Sequence, residues 1–373
     1  MSKWELVKLG DVCEGKSSNI AQKDLVGNEG LYPIYGASGL IKNVDFYKYE
    51  QEYIAVIKDG AGIGRTIMCE AKSSVIGTMQ ALIPNESIDY RYMFYAVSRM
   101  GLSKYYTGAT IPHIYFKDYK DEKIPLPPVD IQKKITAALD TANALIEKRK
   151  EQIEKLDLLI KSQFIEMFGD PVTNPKGWEK KHLEEIANVG SSRRVFVEEL
   201  VNEGVPFYRG TEIGAMGTGE SITPSLFITS QHYDRLKAVT GVPVIGDLLM
   251  PSICPDGRIW RVNTIDPFYF KDGRVLWVHF TEKSFDNTYL LYALKERIIA
   301  EYMNIASGTT FAELKIFSLK RVSVLLPPLV FQTQFAEFVQ KVEAQKALLQ
   351  KSLADMEQNY QSLLQKCFKG EIF

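Results

Sequence analysis

Pro127-Pro-Val-Asp-Ile-Gln132 and Pro327-Pro-Leu-Val-Phe-Gln332 carry one pattern twice, 200 residues apart. Each proline pair stops whatever precedes it, because proline lacks a backbone N–H and restricts the residue before it. From each glutamine to Phe168 and Phe368 no Pro or Gly occurs, and Ala, Leu, Glu, Lys and Gln dominate, a composition that favours helix. The register also runs backwards. Gly108-Ala-Thr-Ile-Pro112 lies opposite Gly308-Thr-Thr-Phe-Ala312, each glycine 19 residues ahead of its proline pair. Lys120 and Lys320, Leu126 and Leu326, Ala144 and Ala344, and Ser162 and Ser362 fall in step with no gap. Such a fixed offset marks an internal duplication.

A second correspondence has another offset. Trp4-Glu-Leu-Val-Lys-Leu9 matches Trp178-Glu-Lys-Lys-His-Leu183, and Val12 matches Ile186, 174 residues apart. The second copy therefore holds 26 more residues between its Trp-Glu start and its Gly-x-Thr end. The chain reads as variable unit, helix, variable unit, helix. The expected segments are 1–129, 130–168, 169–329 and 330–373, with Gly169 to Gly177 as a linker behind the first helix.

The helical stretches carry a seam. Leu139, Ala142, Ile146, Ile153, Leu156, Ile160 and Met167 are spaced 3, 4, 7, 3, 4 and 7, a heptad pattern interrupted at Arg149. Phe335, Val339, Val342, Leu349, Leu353, Met356, Tyr360 and Leu363 continue it in the second copy. Each stretch predicts a helix of about 37 residues, roughly 55 Å long. That is too long for the core of one variable unit. The simplest solution is an antiparallel coiled coil of the two helices; the alternative is two amphipathic helices, each lying on its own domain.

Composition narrows the class. Of 373 residues 45% are hydrophobic and 24% charged, with 19 Phe, 19 Tyr and 4 Trp, which excludes a disordered chain. No apolar run reaches the ~18 residues of a membrane span. Met1-Ser-Lys-Trp-Glu-Leu-Val-Lys8 places charges where a secretory leader is apolar, so a cytoplasmic protein is expected. Cys13, Cys69, Cys254 and Cys367 are far apart and offer neither a zinc motif nor a disulfide framework. A net charge of -1 argues against a non-specific nucleic-acid coat but allows a local basic groove.

The variable units read as α+β. Tyr53-Ile-Ala-Val-Ile57 predicts a buried strand, Lys58-Asp-Gly-Ala-Gly-Ile-Gly-Arg65 a turn, and Thr66-Ile-Met68 a second strand. Leu248 to Ile253, Cys254-Pro-Asp-Gly-Arg258 and Ile259 to Val262 repeat this order. Tyr90 to Val97 and Asn287 to Leu294 predict matching helices. The glycine turn is not a phosphate loop, since neither Gly-x-Gly-x-x-Gly nor Gly-Lys-Ser/Thr is present. It bares backbone and Arg65, with Asp59 able to accept from cytosine and Arg65 to read guanine. No Gly-x-Ser-x-Gly, His-Glu-x-x-His or Asn/Asp-Pro-Pro-Tyr/Phe motif occurs, so the chain is not expected to hold an active site.

Several of these stretches together resemble one family. They are the Trp-Glu openings, Tyr35-Gly-Ala-Ser-Gly39, Gly108-Ala-Thr-Ile-Pro-His-Ile-Tyr-Phe-Lys117, Ile124 to Gln132, and Lys161-Ser-Gln-Phe-Ile-Glu-Met-Phe-Gly-Asp170 running into Gly177-Trp-Glu179. The chain is similar to the specificity subunits of type I restriction-modification systems. The second half lacks the Pro-His after its Gly-x-Thr. The resemblance implies two target recognition domains in pseudo-twofold arrangement, separated by the antiparallel helix pair. Each domain would read half of an asymmetric, bipartite double-stranded DNA site. The chain itself would hold no cofactor. Two modification (methyltransferase) subunits would bring S-adenosylmethionine, and two restriction motor-nuclease subunits would use ATP and Mg.

Candidate DNA contacts are Tyr35, Ser38, Lys58, Asp59, Arg65, Thr110, His113 and Lys117 in the first domain. In the second they are Arg193, Arg194, Arg209, Thr211, Glu212, Arg258, Arg261, Thr309 and Thr310. A competing reading is a non-catalytic coiled-coil scaffold whose globular units bind proteins.

Overall fold

The computed structural model describes residues 3–60, 62–107, 112–281, 285–308 and 312–373. Contacts divide the chain into two units, residues 1–151 with 349–373, and residues 152–348. Part of each long helix falls in each unit, because the apolar seam of each half is continuous with the core of the domain it packs on.

The first unit opens with β1 (Leu6–Lys8), α1 (Leu9–Val12), β2 (Cys13–Ser17), β3 (Tyr32–Gly36), β4 (Gly39–Val44), β5 (Tyr53–Ile57), β6 (Thr66–Cys69), β7 (Ser74–Val75) and β8 (Met79–Pro84). Then come α2 (Tyr90–Ser98), α3 (Phe116–Tyr119), β9 (Lys123–Pro125) and α4 (Val129–Phe168). The sheets run β2-β8-β5-β6, β4-β3-β7 and β1-β9. All five residues of β5 are buried, because successive side chains point to opposite faces and both faces are covered. Ile54 and Val56 join the core of Tyr92, Ile135 and Leu139. Tyr53, Ala55 and Ile57 join a second core with Ile34, Val75 and Met79.

The second unit repeats the plan with β10 (Glu179–His182), α5 (Leu183–Ile186), β11 (Ala187–Gly190), β12 (Val205–Tyr208), α6 (Gly210–Gly217), β13 (Phe227–Ile228) and α7 (Ser230–Thr240). It continues with β14 (Leu248–Pro251), β15 (Trp260–Arg261), β16 (Tyr269–Phe270), β17 (Val275–Phe280), α8 (Asn287–Ile305), α9 (Ile316–Lys320), β18 (Ser323–Leu326) and α10 (Leu329–Lys369). Its sheets run β11-β17-β14-β15, β13-β12-β16 and β10-β18. The extra length of the second copy lies between β12 and β14, where α6 and α7 stand around the short β13.

The roots of the long helices are built alike. Pro128 accepts from the N–H groups of Ile131 and Gln132, so α4 starts at Val129, one residue ahead of the expected segment. Proline suits the position just outside a helix start, where its missing N–H has no partner to lose. Gln132 is fully buried. Its amide donates to the carbonyls of Ser87 (2.9 Å) and Pro127 (2.8 Å), and its oxygen accepts from Asp89 N–H (2.7 Å). Asp89 in turn caps α2 by accepting from Arg91 and Tyr92. Gln332 donates to Pro327 (2.7 Å) and accepts from Asp286 N–H (3.0 Å), and Asp286 caps α8.

Each unit also docks its Trp-Glu start on the end of a long helix. Trp178 Nε1 donates to the Phe168 carbonyl at 3.0 Å, and Trp4 Nε1 to the Cys367 carbonyl at 3.4 Å. Phe168 packs on Tyr289 at 4.6 Å between ring centres, and Phe368 on Tyr92 at 5.0 Å. Residues 169–177 are tied down rather than a loose linker. Asp170 accepts from Val172 and Thr173, Lys176 Nζ donates to the carbonyl of Met167, and Arg297 donates to the carbonyl of Pro171.

The helices pair antiparallel within each unit. In the second, Phe335 meets Phe164 and Phe168, while Asp157 meets Lys346 at 2.5 Å. In the first, Lys150 meets Glu357 at 3.7 Å. Numbers rise along α4 as they fall along α10. Leu139, Ile146, Ile160, Val339 and Val342 are buried, and Ala142, Ile153, Leu156, Leu349, Leu353, Met356 and Tyr360 are half-buried. Phe335→Ala is expected to lower the unfolding free energy by about 3–5 kcal/mol in urea titration. Leu348→Ala, at a position 70% exposed, is expected to change it by less than about 0.5 kcal/mol.

Candidate nucleic-acid interface

One relay of backbone hydrogen bonds gathers the first unit's candidates at one end of its sheets. Lys58 N–H donates to the Thr78 carbonyl (3.0 Å), Ile114 N–H to the Lys58 carbonyl (2.9 Å) and Gly60 N–H to the Pro112 carbonyl (3.2 Å). Thr107 and His113 form a closed bridge just before Ile114. On the neighbouring sheet, Ile76 N–H donates to the Tyr35 carbonyl (3.0 Å), which brings the β3–β4 turn with Ser38 to the same end. Tyr35, Ser38, Lys58, Asp59, Arg65 and His113 thus converge, and Lys117 follows on α3 over the ring of Tyr115 at 5.3 Å.

The second unit uses the same relay. Ser252 N–H donates to the Arg274 carbonyl (2.9 Å), and Leu314 N–H to the Ser252 carbonyl (2.7 Å). Ser307 and Glu313 close the bridge that Thr107 and His113 close in the first unit. Lys271 N–H donates to the Tyr208 carbonyl (2.9 Å), as Ile76 does to Tyr35. Tyr208 therefore stands where Tyr35 stands, and Arg209 and Thr211 follow it as Gly36 and Ser38 follow Tyr35. Ser191 Oγ donates to the Val275 carbonyl at 2.7 Å, which carries Arg193 and Arg194 to this end.

The candidates differ in what already holds them. Asp59 is hydrogen-bonded to His113 Nδ1 at 2.6 Å, so each is already engaged on one side. Arg194 pairs with Asp272 at 3.2 Å. Arg65 Nε donates to the Gly62 carbonyl at 3.4 Å and closes its own turn. The turn explains its glycines: Gly60 and Gly64 have φ of 92° and 83°, where only glycine is unstrained. Lys58 and Arg193 have no ion-pair partner among the described residues, and each is available to a base edge as well as to a phosphate.

Arg258 and Arg261 face elsewhere. They line a cleft of about 810 Å³ with Asp157, Lys161, Glu343 and Lys346 of the helix pair. Arg258 pairs with Asp256 at 2.9 Å, and Arg261 donates to Thr288. Five acidic and five basic side chains line this cleft, so it lacks the excess positive charge that a DNA backbone requires. Thr110, Thr309 and Thr310 lie outside the described residues. Arg274 and Asp272 were missed by sequence reasoning. Glu313, one offset of 200 from His113, was the available signal. Among the described residues no group of His, Cys, Asp and Glu could hold a metal ion, and no helix is long and apolar enough to cross a membrane.

Arg209 and Glu212 form a cap at the start of α6. Glu212 accepts from Arg209 N–H at 2.9 Å and pairs with its guanidinium. Burial works against the Glu212 carboxylate, but hydrogen bonds from Arg209, Thr211 and the backbone prevail and hold its pKa at about 2. A carboxyl depressed in the folded state stabilises the fold above its unfolded pKa and loses that contribution as pH falls through the folded one. The contribution of Glu212 is therefore expected to be complete above about pH 4.5 and gone below about 2. Chemical denaturation of Glu212→Gln against pH is expected to show a smaller acid-induced loss between these limits.

The residues 1–155 and 175–358 match the family model described as the type I restriction modification DNA specificity domain. The type I restriction enzyme MjaIX specificity subunit of Methanocaldococcus jannaschii is 25% identical over 381 residues, covering 95% of this chain and 86% of the relative. The MjaVIII specificity subunit of the same organism is 25% identical over 407 residues, covering 99% and 93%. The fold is that of the crystallised S subunit of a type I restriction-modification system from M. genitalium, with a TM-score of 0.59, 17% identity and coverage of 98% and 96%. With both of its repeated units inside the family model, the chain belongs to the type I restriction-modification DNA specificity family.

Proposed function

We propose that each unit reads one half of a bipartite, asymmetric site in double-stranded DNA. In this reading the chain carries no chemistry of its own. It directs two modification subunits, which use S-adenosylmethionine, and two restriction motor-nuclease subunits, which use ATP and Mg, and it acts in the cytoplasm. The observation that carries the reading is one backbone relay presented twice with unlike side chains. Lys58 and Thr78 of the first unit stand where Ser252 and Arg274 stand in the second. A duplicated frame with different reading groups suits two different half-sites. Near-zero net charge suits a subunit whose DNA contacts are confined to a few basic loops.

The test uses the chain in complex with its modification subunits. Lys58→Ala is expected to weaken recognition of one half-site about tenfold, a loss ordinary for a single DNA contact, and to leave the other half unchanged. Arg193→Ala is expected to do the reverse. Binding to DNA carrying either half scrambled measures both. Equal loss at the two halves, or binding indifferent to sequence, contradicts the assignment.

A further inference from the structure

Resting on that reading, we propose that Asp59–His113 and Arg274–Glu313 are positioning latches of opposite polarity, each tuned to its own unit and not exchangeable between units. His113 and Glu313 occupy the same place. Each closes the bridge that ends a Gly-x-Thr stretch, and each is followed by the residue that donates to the relay carbonyl, Lys58 or Ser252. Each pairs across to the strand ends that carry that relay. The partners nevertheless come from different points. Asp59 follows Lys58 at the end of β5, and its place in the second unit is held by Ile253. Arg274 precedes β17, and its place in the first unit is held by Thr78.

The pairs therefore do one job with the carboxylate on opposite sides. In the first unit the carboxylate lies on the turn and the imidazole on the bridge, 2.6 Å apart. In the second unit the carboxylate of Glu313 lies on the bridge and is held by the Arg274 guanidinium, with Lys315 at 2.5 Å. Glu313 is 16% exposed and Arg274 62%, so the acid is the less solvated partner and depends more on the contact. Because the relay links the bridge to the backbone of Lys58 or Ser252, the latch sets where the groups of the turn stand. A bridge moved alone from the second unit to the first would face a carboxylate with a carboxylate. Moved the other way, it would leave Arg274 beside an imidazole.

A double-mutant cycle on the full complex tests this. Arg274→Ala and Glu313→Ala are each expected to reduce discrimination at the second half-site about fivefold, the upper range for a solvent-exposed pair. The double variant is expected to lose no more than either single change. Discrimination at the first half-site and the unfolding midpoint are expected to stay unchanged, and Arg274→Lys is expected to recover part of the loss. In the first unit, Asp59→Arg combined with His113→Glu is expected to discriminate better than either single variant. Multiplying losses in the double variant, or equal loss at both half-sites, overturns the latch. If the unaltered complex shows no sequence selectivity, the DNA-reading assignment beneath it fails instead.

Discussion

A buried glutamine amide fixes the root of each long helix, and the rest of the architecture depends on it. Gln132 and Gln332 lie out of water, where an amide left unpaired costs about 1–3 kcal/mol. Both are satisfied only when the Pro-Pro turn and the capping aspartate of the neighbouring helix stand in one place. That fixes the direction in which α4 and α10 leave their domains. The seam then follows: Phe164, Phe335 and Tyr289 in one unit, and Leu139, Tyr92 and Phe368 in the other, complete cores that the sheets begin.

Closing each unit with part of both long helices has a functional consequence. Each domain is closed by the start of its own long helix and by the end of the other, so the frame is the same twice although the surfaces differ. The units differ at the relay end, where the turn after β5 or β14 meets the Gly-x-Thr bridge, and in the longer stretch between β12 and β14. The second unit places α6 after Tyr208 where the first places a hairpin turn after Tyr35. Identity can change there without disturbing the buried parts that hold the frame.

Most of the frame was legible in the sequence because it rests on local rules. Proline pairs end one element and start another, and heptad spacing selects a face. A fixed offset of 200 aligns both. The strand at Tyr53 to Ile57 was visible as an apolar run, since burial on both faces removes alternation. The unit boundaries were not visible, because no local signal shows that one helix completes two cores. The candidate site was legible in its turns but not in its pairings. Asp59 and His113 are 54 residues apart, and Arg274 and Glu313 are 39 apart. Charge at such separations says nothing until topology brings it together. Arg258 and Arg261 looked like the other candidate arginines in sequence, and they line the charge-balanced cleft.

If one frame, repeated, reads two unlike half-sites, both halves are recorded in the methylation pattern of a genome. Mapping methylated adenines across a genome in cells that express this chain with its modification subunits tests it most directly. The expected result is one motif made of two different specific halves separated by a fixed non-specific spacer. Two identical halves, a single uninterrupted motif, or methylation without a motif would contradict it.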